Sequence, residues 1–99
     1  MNFSKTVEGA AVVLRIEGSL DAMSTPELRP LIEELIAERV AQVTVDLSHL
    51  RLIDSSGVGA IVSLYKRMRA QGCHVVVRGL RDQPLAIFRL LRLDRVFAG

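Results

Sequence analysis

Val12, Leu14 and Ile16 alternate with Val13, Arg15 and Glu17, and a period of two predicts a half-buried strand. Phe3 to Val7 is expected as a short partner strand, with Glu8-Gly9 as the turn between them. The strand is expected to end over Gly18-Ser19-Leu20-Asp21. The period then changes. Leu28, Leu31, Ile32, Leu35 and Ile36 recur at helical spacing while Glu33, Glu34 and Glu38 lie off that face, so a helix begins near Ser24 or Thr25. Ser24 is its expected cap, Pro26 suits an early helical position, and Glu27 follows Ser24 by three residues.

Gln42 to Leu47 reads as the next strand, with Val43, Val45 and Leu47 on one side, and Leu50 to Ile53 leads into Asp54-Ser55-Ser56-Gly57. From there Val58, Ile61, Val62, Tyr65 and Met68 mark a second amphipathic helix that stops at Gly72. Cys73 to Val77 is a nearly continuous apolar run, expected as a strand buried on both faces in the middle of a parallel or mixed sheet. Asp82 is placed to cap a third helix with Pro84 in its first turn and Ile87, Phe88 and Leu91 on its apolar side. Leu93 to Phe97 is a short ending, either an edge strand or an extra helical turn. The alternation predicts an α/β fold, a sheet covered by helices.

The 99 residues allow one core and one domain. Apolar residues at 49% and a mean hydropathy of +0.31 exclude a disordered tail. No apolar run approaches the roughly 18 residues that span a bilayer, so no membrane insertion is expected. Met1-Asn2-Phe3-Ser4-Lys5 lacks the layout of a secretory signal, and the single Cys73 has no internal partner, which together suggest a reducing cytoplasm. The net charge of +2 hides an asymmetry. Residues 1–50 carry four basic against eight acidic side chains, residues 51–99 nine against three. Only four aromatic residues are present, and Lys66, Arg67 and Arg69, like Arg89 and Arg92, fall at helical spacings. A solvated helix face therefore explains the basic half better than a nucleic-acid groove does.

Enzyme templates fail on spacing. Gly57-Val58-Gly59 begins like a dinucleotide fingerprint, but Val62 stands where the third glycine belongs, and no glycine loop ends in Lys-Ser or Lys-Thr. Ser55 has Ile53 where a nucleophile elbow needs glycine. A set of Ser55, His49 or His74, and Asp54 can be written down, but His74 sits in an apolar strand and reads as a hydrogen-bonded structural histidine. One cysteine and two distant histidines offer no metal-ligand spacing. No catalysis, cofactor or metal is expected.

The informative segment runs from Asp46 to Gly59, where an apolar strand delivers two hydroxyls and a carboxylate to a helix start. One helix cap needs one of Asp54, Ser55 or Ser56; three candidates are a surplus, and Gly57 and Gly59 leave the helix start open for a partner's backbone. A serine here suits phosphorylation, which adds roughly −1.5 to −2 charge. Free N–H groups and the positive end of the helix dipole tolerate that charge, so the fold should survive while a docked partner meets a dianion crowded by Asp54.

Gly18-Ser19-Leu20-Asp21, Val45-Asp46-Leu47-Ser48, Ile53-Asp54-Ser55-Ser56-Gly57-Val58-Gly59, Gly79-Leu80 and Leu90-Leu91-Arg92-Leu93-Asp94 stand where the anti-sigma factor antagonist family, whose domain is named STAS, has similar elements. The chain resembles that family over nearly its whole length. The resemblance implies a single STAS-like domain over residues 1–99, with a central mixed sheet of four to five strands covered by helices. It implies Ser55 as the phosphorylated residue, Ser56 as its neighbour and the helix cap, and a partner-binding surface of Asp21, Asp54, Ser55, Ser56, Gly57, Val58 and Gly59. It implies a serine-kinase anti-sigma factor that binds ATP as partner, captured by the unmodified antagonist so that a sigma factor is freed, and a metal-dependent serine phosphatase that reverses the mark. STAS-like domains also serve as constitutive subunits that regulate transporters or lipid-trafficking complexes, a competing expectation. Nucleotide binding at the same helix N-terminus is a third. Many relatives continue beyond the position of Val96-Phe97 into another helix, so one sheet edge or face is expected to be less covered.

Overall fold

Strand β1, Asn2–Glu8, and strand β2, Ala11–Leu20, form an antiparallel hairpin that pairs Lys5 with Leu14 and Val7 with Val12. In the computed structural model, which describes residues 1–97, they are followed by α1 (Thr25–Glu38), β3 (Gln42–Asp46), β4 (Leu50–Ile53), α2 (Ser55–Ala70), β5 (His74–Arg78), α3 (Asp82–Leu90) and α4 (Leu93–Val96). Residues 98 and 99 of the expected domain lie outside the described residues. β3 runs parallel to the first half of β2, β4 parallel to its last residues, and β5 parallel to β3. The order β1-β2-β3-β5, with β4 on β2, makes a five-stranded mixed sheet with four helices.

One face of this sheet holds the core. Val12, Leu14 and Ile16 of β2, Val43 and Val45 of β3, and Val75 of β5 share one parity, and they cluster with Leu28, Ile32, Leu35 and Ile36 of α1 and with Val58, Ile61, Leu64 and Met68 of α2. Phe88 of α3 and Phe97 close the cluster, Phe97 packing edge-on against Tyr65 with ring centroids 5.1 Å apart. α1 and α2 are also joined across their exposed sides by Arg67 and Glu33, and β1 is tied to α1 by Lys5, whose Nζ lies 2.9 Å from Glu34 and 3.1 Å from Glu38.

β2 ends at Leu20, within the expected Gly18–Asp21 stretch, and its last residues are held by β4, with an irregularity in register between Gly18 and Ser19. The structure revises other expectations. β5 is an edge strand, not a central one. Its apolar run has one side in the core at Val75, while Val76 is half-buried in the opposite row beside Thr44, and His74 and Arg78 are exposed. Among the described residues the exposed His74 ring makes no hydrogen bond, so it is not the hydrogen-bonded structural histidine expected. An apolar run reads alike whether its second face meets a helix or only the flanking side chains of its own sheet. Asp82 does not cap α3: Arg81 occupies the cap position without a side-chain bond, and Asp82 itself has φ +55°. Leu91 follows the helix and is half exposed. Of the two options for the ending, the helical turn is the one formed.

On the opposite face of the sheet Val13, Thr44 and Asp46 are buried outside the main cluster. Across it run Ser4, Arg15, Asp46 and Arg78 in register. Asp46 is 4% exposed and lies between the guanidinium groups of Arg15 and Arg78, at 3.6 and 3.5 Å, while its Oδ1 accepts the Ser48 hydroxyl at 2.7 Å and the Ser48 N–H at 3.0 Å. Gly79, with φ +79°, passes so close to this turn that a Cβ there would lie 2.7 Å from that of Ser48. Burial pushes the Asp46 carboxyl upward, but the Ser48 hydrogen bonds and the two arginines outweigh it and hold the pKa below its ordinary 3.8. A depressed folded pKa gives stability that is complete above that ordinary value and fades as the pH falls through the folded one. Asp46→Asn is accordingly expected to cost about 1–3 kcal/mol at pH 7 and to flatten the acid limb of the stability profile. Urea titrations of both proteins from pH 7 to pH 2 check this; parallel profiles would refute it.

Candidate functional site

The C-terminal ends of β2 and β4 lie side by side, and each opens into a helix through an aspartate. At the first opening Asp21 Oδ1 accepts the N–H groups of Met23 and Ser24, both at 3.0 Å, and lies 3.1 Å from the Ser24 hydroxyl. Ser24 stands at the cap position of α1 but has helical backbone angles and makes no side-chain cap. Its hydroxyl turns back to Ser19 O at 2.9 Å and accepts the Asp21 N–H. The side-chain cap expected of Ser24 is thus not made, and the carboxylate three residues earlier closes the turn that leads into α1 instead. The Ser24 and Met23 N–H groups, with the Ser24 hydroxyl, hold the Asp21 carboxyl below the usual aspartate range, against a smaller opposing effect of burial.

At the second opening Asp54 has an extended backbone, and its Oδ1 accepts the N–H groups of Ser56 at 2.9 Å and Gly57 at 3.2 Å. This resolves the three-way choice of cap in favour of Asp54, and it corrects the assignment of Ser56. It also changes the charge argument, because two N–H groups expected to be free for a phosphate are already taken. The other oxygen, Oδ2, accepts the Ala22 N–H at 3.2 Å, so one carboxylate joins both openings. Ser55 begins α2 and is exposed; among the described residues no hydrogen bond holds its hydroxyl. A phosphate there would stand in solvent beside Asp54.

The two glycines have different tasks. A Cβ on Gly57 would lie 2.7 Å from Leu20 O and 2.8 Å from side-chain atoms of Leu20 and Ile53, so the missing side chain lets the helix seat directly on the strand ends. Gly57 and Val58 are buried and face inward. Gly59 is exposed, meets nothing within 4 Å of a built Cβ, and lies one helical turn beyond Ser55 on the same face. Of the residues expected at the partner surface, Asp21, Asp54, Ser55, Ser56 and Gly59 reach solvent at least in part, whereas Gly57 and Val58 support them from beneath.

Three further residues belong to this neighbourhood and were missed in the sequence. Met23 is 88% and Leu52 55% exposed, and each flanks the aspartates. Met23 stands out only as an apolar residue in a polar turn. Gln83 of α3 carries no sequence signal, yet its Oε1 accepts the Ile53 N–H and its Nε2 donates to the Ile53 carbonyl, both at 2.9 Å. β4 pairs only with β2, so this side-chain amide serves the outward backbone groups that a further strand would have served. A depression of about 270 Å³ lies between Ser19, Asp21, Leu52, Asp54 and Gln83. Neither histidine lines it, and the Ser48 hydroxyl lies 3.1 Å from His49 Nδ1, so the serine, histidine and aspartate written down from sequence are not gathered there. Two carboxylates at its rim oppose a nucleotide phosphate. Among the described residues no cluster of metal-ligating side chains is present, and no helix is long and apolar enough to cross a membrane.

Known proteins share this fold. The family described as "Mlab, STAS domain" matches residues 3–98. The anti-sigma-B factor antagonist of Bacillus subtilis is 28% identical over 85 residues, which cover 86% of this chain and 77% of that protein. A crystal structure of a putative anti-sigma factor antagonist from Thermotoga maritima superposes with a TM-score of 0.88 at 20% identity, covering 95% of this chain and 81% of that one. The Bacillus cell fate determinant SpoIIAA in its phosphorylated form superposes with a TM-score of 0.77 at 22% identity, covering 95% and 86%.

Two substitutions separate the roles of the glycines. Gly57→Ala is expected to destabilise by about 1–3 kcal/mol, because the strand ends must shift to admit a methyl group. Gly59→Ala is expected to stabilise by up to about 1 kcal/mol, as an open helix position gains propensity. Thermal melts of both variants check the opposite signs. Gln83→Leu leaves two backbone groups of Ile53 unpaired; it should cost about 1–3 kcal/mol and speed hydrogen exchange at the Ile53 amide.

Proposed function

The chain belongs to the STAS domain family, and from that premise we propose that it is an anti-sigma factor antagonist switched by phosphorylation of Ser55. The observation that carries this reading is the placement of Ser55: an exposed hydroxyl, first in its helix, beside a carboxylate whose three backbone hydrogen bonds are independent of that hydroxyl. A phosphate can come and go there without touching a bond that the fold uses. The unmodified surface, formed by Asp21, Asp54, Ser55, Ser56 and Gly59 over Gly57 and Val58, with Met23 and Leu52 as apolar contacts, docks a serine-kinase anti-sigma factor that binds ATP and so releases a sigma factor or an equivalent target. The kinase transfers phosphate to Ser55; a metal-dependent serine phosphatase removes it. The protein itself is substrate and binder, without catalysis, and works in the cytoplasm.

The switch is electrostatic. A phosphoserine adds roughly −1.5 to −2 charge next to Asp54 and near Asp21. Burying that charge under a partner without a counter-charge costs several kcal/mol, and about 2.8 kcal/mol already weakens binding a hundredfold. That Bacillus SpoIIAA has a solved phosphorylated form of the same fold supports the premise that such a scaffold tolerates the group.

A second reading is a constitutive subunit regulating a transporter or a lipid-trafficking complex; a sulfate transporter family protein from Wolinella succinogenes, whose structure superposes on 94% of this chain with a TM-score of 0.76, favours it. The two readings part on one experiment. Incubation with the serine-kinase anti-sigma factor of the same organism and magnesium ATP should add one phosphate by intact mass, absent in Ser55→Ala, and Ser55→Glu should weaken kinase binding at least tenfold while the melting temperature stays within a few degrees. Unchanged kinase binding by Ser55→Glu, or recovery of a transporter ATPase on the wild-type protein as bait, would overturn the switch.

A further inference from the structure

A second surface lies at the other end of α2. The helix rises about 1.5 Å per residue, which places Arg69 about 20 Å along the axis from Ser55. There a cleft of about 530 Å³ opens between the end of α2, the start of β5 and α4, with Tyr65, Arg69, Cys73, His74, Val75 and Val96 among its walls.

Two features of this cleft are unspent. The first is the edge of the sheet. β5 pairs only with β3. His74 N donates to Ala41 O at 3.0 Å and Arg78 O accepts from Leu47 N at 2.9 Å, so residues 74, 76 and 78 turn their backbone groups toward β3 and its flanks. Alternation then directs the N–H and C=O of Val75 and Val77 to the free side. Edge strands are ordinarily blunted by charged side chains, proline or a bulge; His74–Arg78 has no proline and no bulge, and its charged Arg78 stands only at its end. The second feature is an oriented cation. Arg69 donates to the Tyr65 hydroxyl and its guanidinium carbon stands 5.8 Å from the centre of the Tyr65 ring. Lys5, Arg15, Arg67 and Arg78 all have carboxylate partners; among the described residues Arg69 has none.

We propose that this cleft binds an extended, acidic segment of a partner protein, which adds as a strand to the free side of β5 and places a carboxylate on Arg69. Backbone groups of Val75 and Val77 supply the ladder, the exposed Val96 meets an apolar side chain of the segment, and the tyrosine-held guanidinium selects its charge. The excess of basic side chains in residues 51–99 favours the same sign of partner. A second copy of this chain is a poor occupant by the same strand, since β5 carries Arg78 and no carboxylate to offer Arg69. The surface is separate from the Ser55 site and does not depend on the switch.

The test is a fluorescein-labelled decapeptide alternating valine and glutamate, with a valine–lysine decapeptide as its charge-reversed control, titrated by anisotropy and followed by amide shifts. The acidic peptide should bind at least tenfold more tightly than the basic one and move the Val75 and Val77 amides. Arg69→Glu should weaken it at least tenfold, and so should Val77→Pro, which deletes an outward N–H while leaving the bonds to β3 in place. Ser55→Glu should stay within twofold of wild type, which keeps this result independent of the kinase experiment. Should Val77→Pro fail to fold, Arg69→Glu and the amide shifts decide. Equal binding of the two peptides, shifts confined to the face that carries Arg15 and Asp46, full affinity in Arg69→Glu, or displacement of the acidic peptide by a single-stranded oligonucleotide would overturn the proposal.

Discussion

The Asp54 carboxylate holds the site together from three directions. One oxygen closes the N-terminus of α2 on the Ser56 and Gly57 amides, and the other holds the Ala22 amide in the loop before α1. The Asp54 N–H meanwhile donates to the Leu20 carbonyl at the end of β2. The two strand-to-helix crossings, which carry every exposed candidate residue, are thereby fixed to each other and to the sheet. Charge-assisted bonds from backbone amides are among the stronger ones available to a carboxylate. Gly57 makes the arrangement sterically feasible, since any side chain there would separate helix from strand.

Under the proposed switch, this constraint would let the surface change its charge without changing its shape. The N–H groups that a phosphate would otherwise compete for are spoken for by Asp54, so the hydroxyl of Ser55 has no structural duty. From the far side of β4, Gln83 supplies both hydrogen bonds that Ile53 lacks, so the residue that precedes Asp54 is held by α3 as well as by β2. The site rests on α3 although α3 contributes no exposed functional group to it.

The molecule is also divided by charge. Two carboxylates frame the Ser55 end of α2, whereas its other end carries an arginine held on a tyrosine and borders the open edge of the sheet. Such a helix separates two surfaces of opposite sign by its own length. A partner suited to one sign of charge is repelled by the other, so the two proposed contacts would not compete for the same partner.

Much of this could be read from the chain. The two- and 3.6-residue periods place β1, β2, β3, α1 and α2 within a residue or two of their observed bounds, because burial of one face imposes the period wherever the core lies. The cluster Asp54-Ser55-Ser56-Gly57 pointed to a helix start presenting a serine, since those residue types have few other uses at such a place. Periodicity could not tell which strand is an edge: Cys73 to Val77 looks central, and only the pairing order puts β5 at the margin. Nor could spacing choose the cap of α2, for Ser55 and Ser56 were as eligible as Asp54 until the loops were folded against one another. Gln83 lies thirty positions from the backbone groups that it serves. Local pattern records what a residue prefers; which of several eligible groups meets a given amide depends on chain segments that only folding brings within hydrogen-bonding distance.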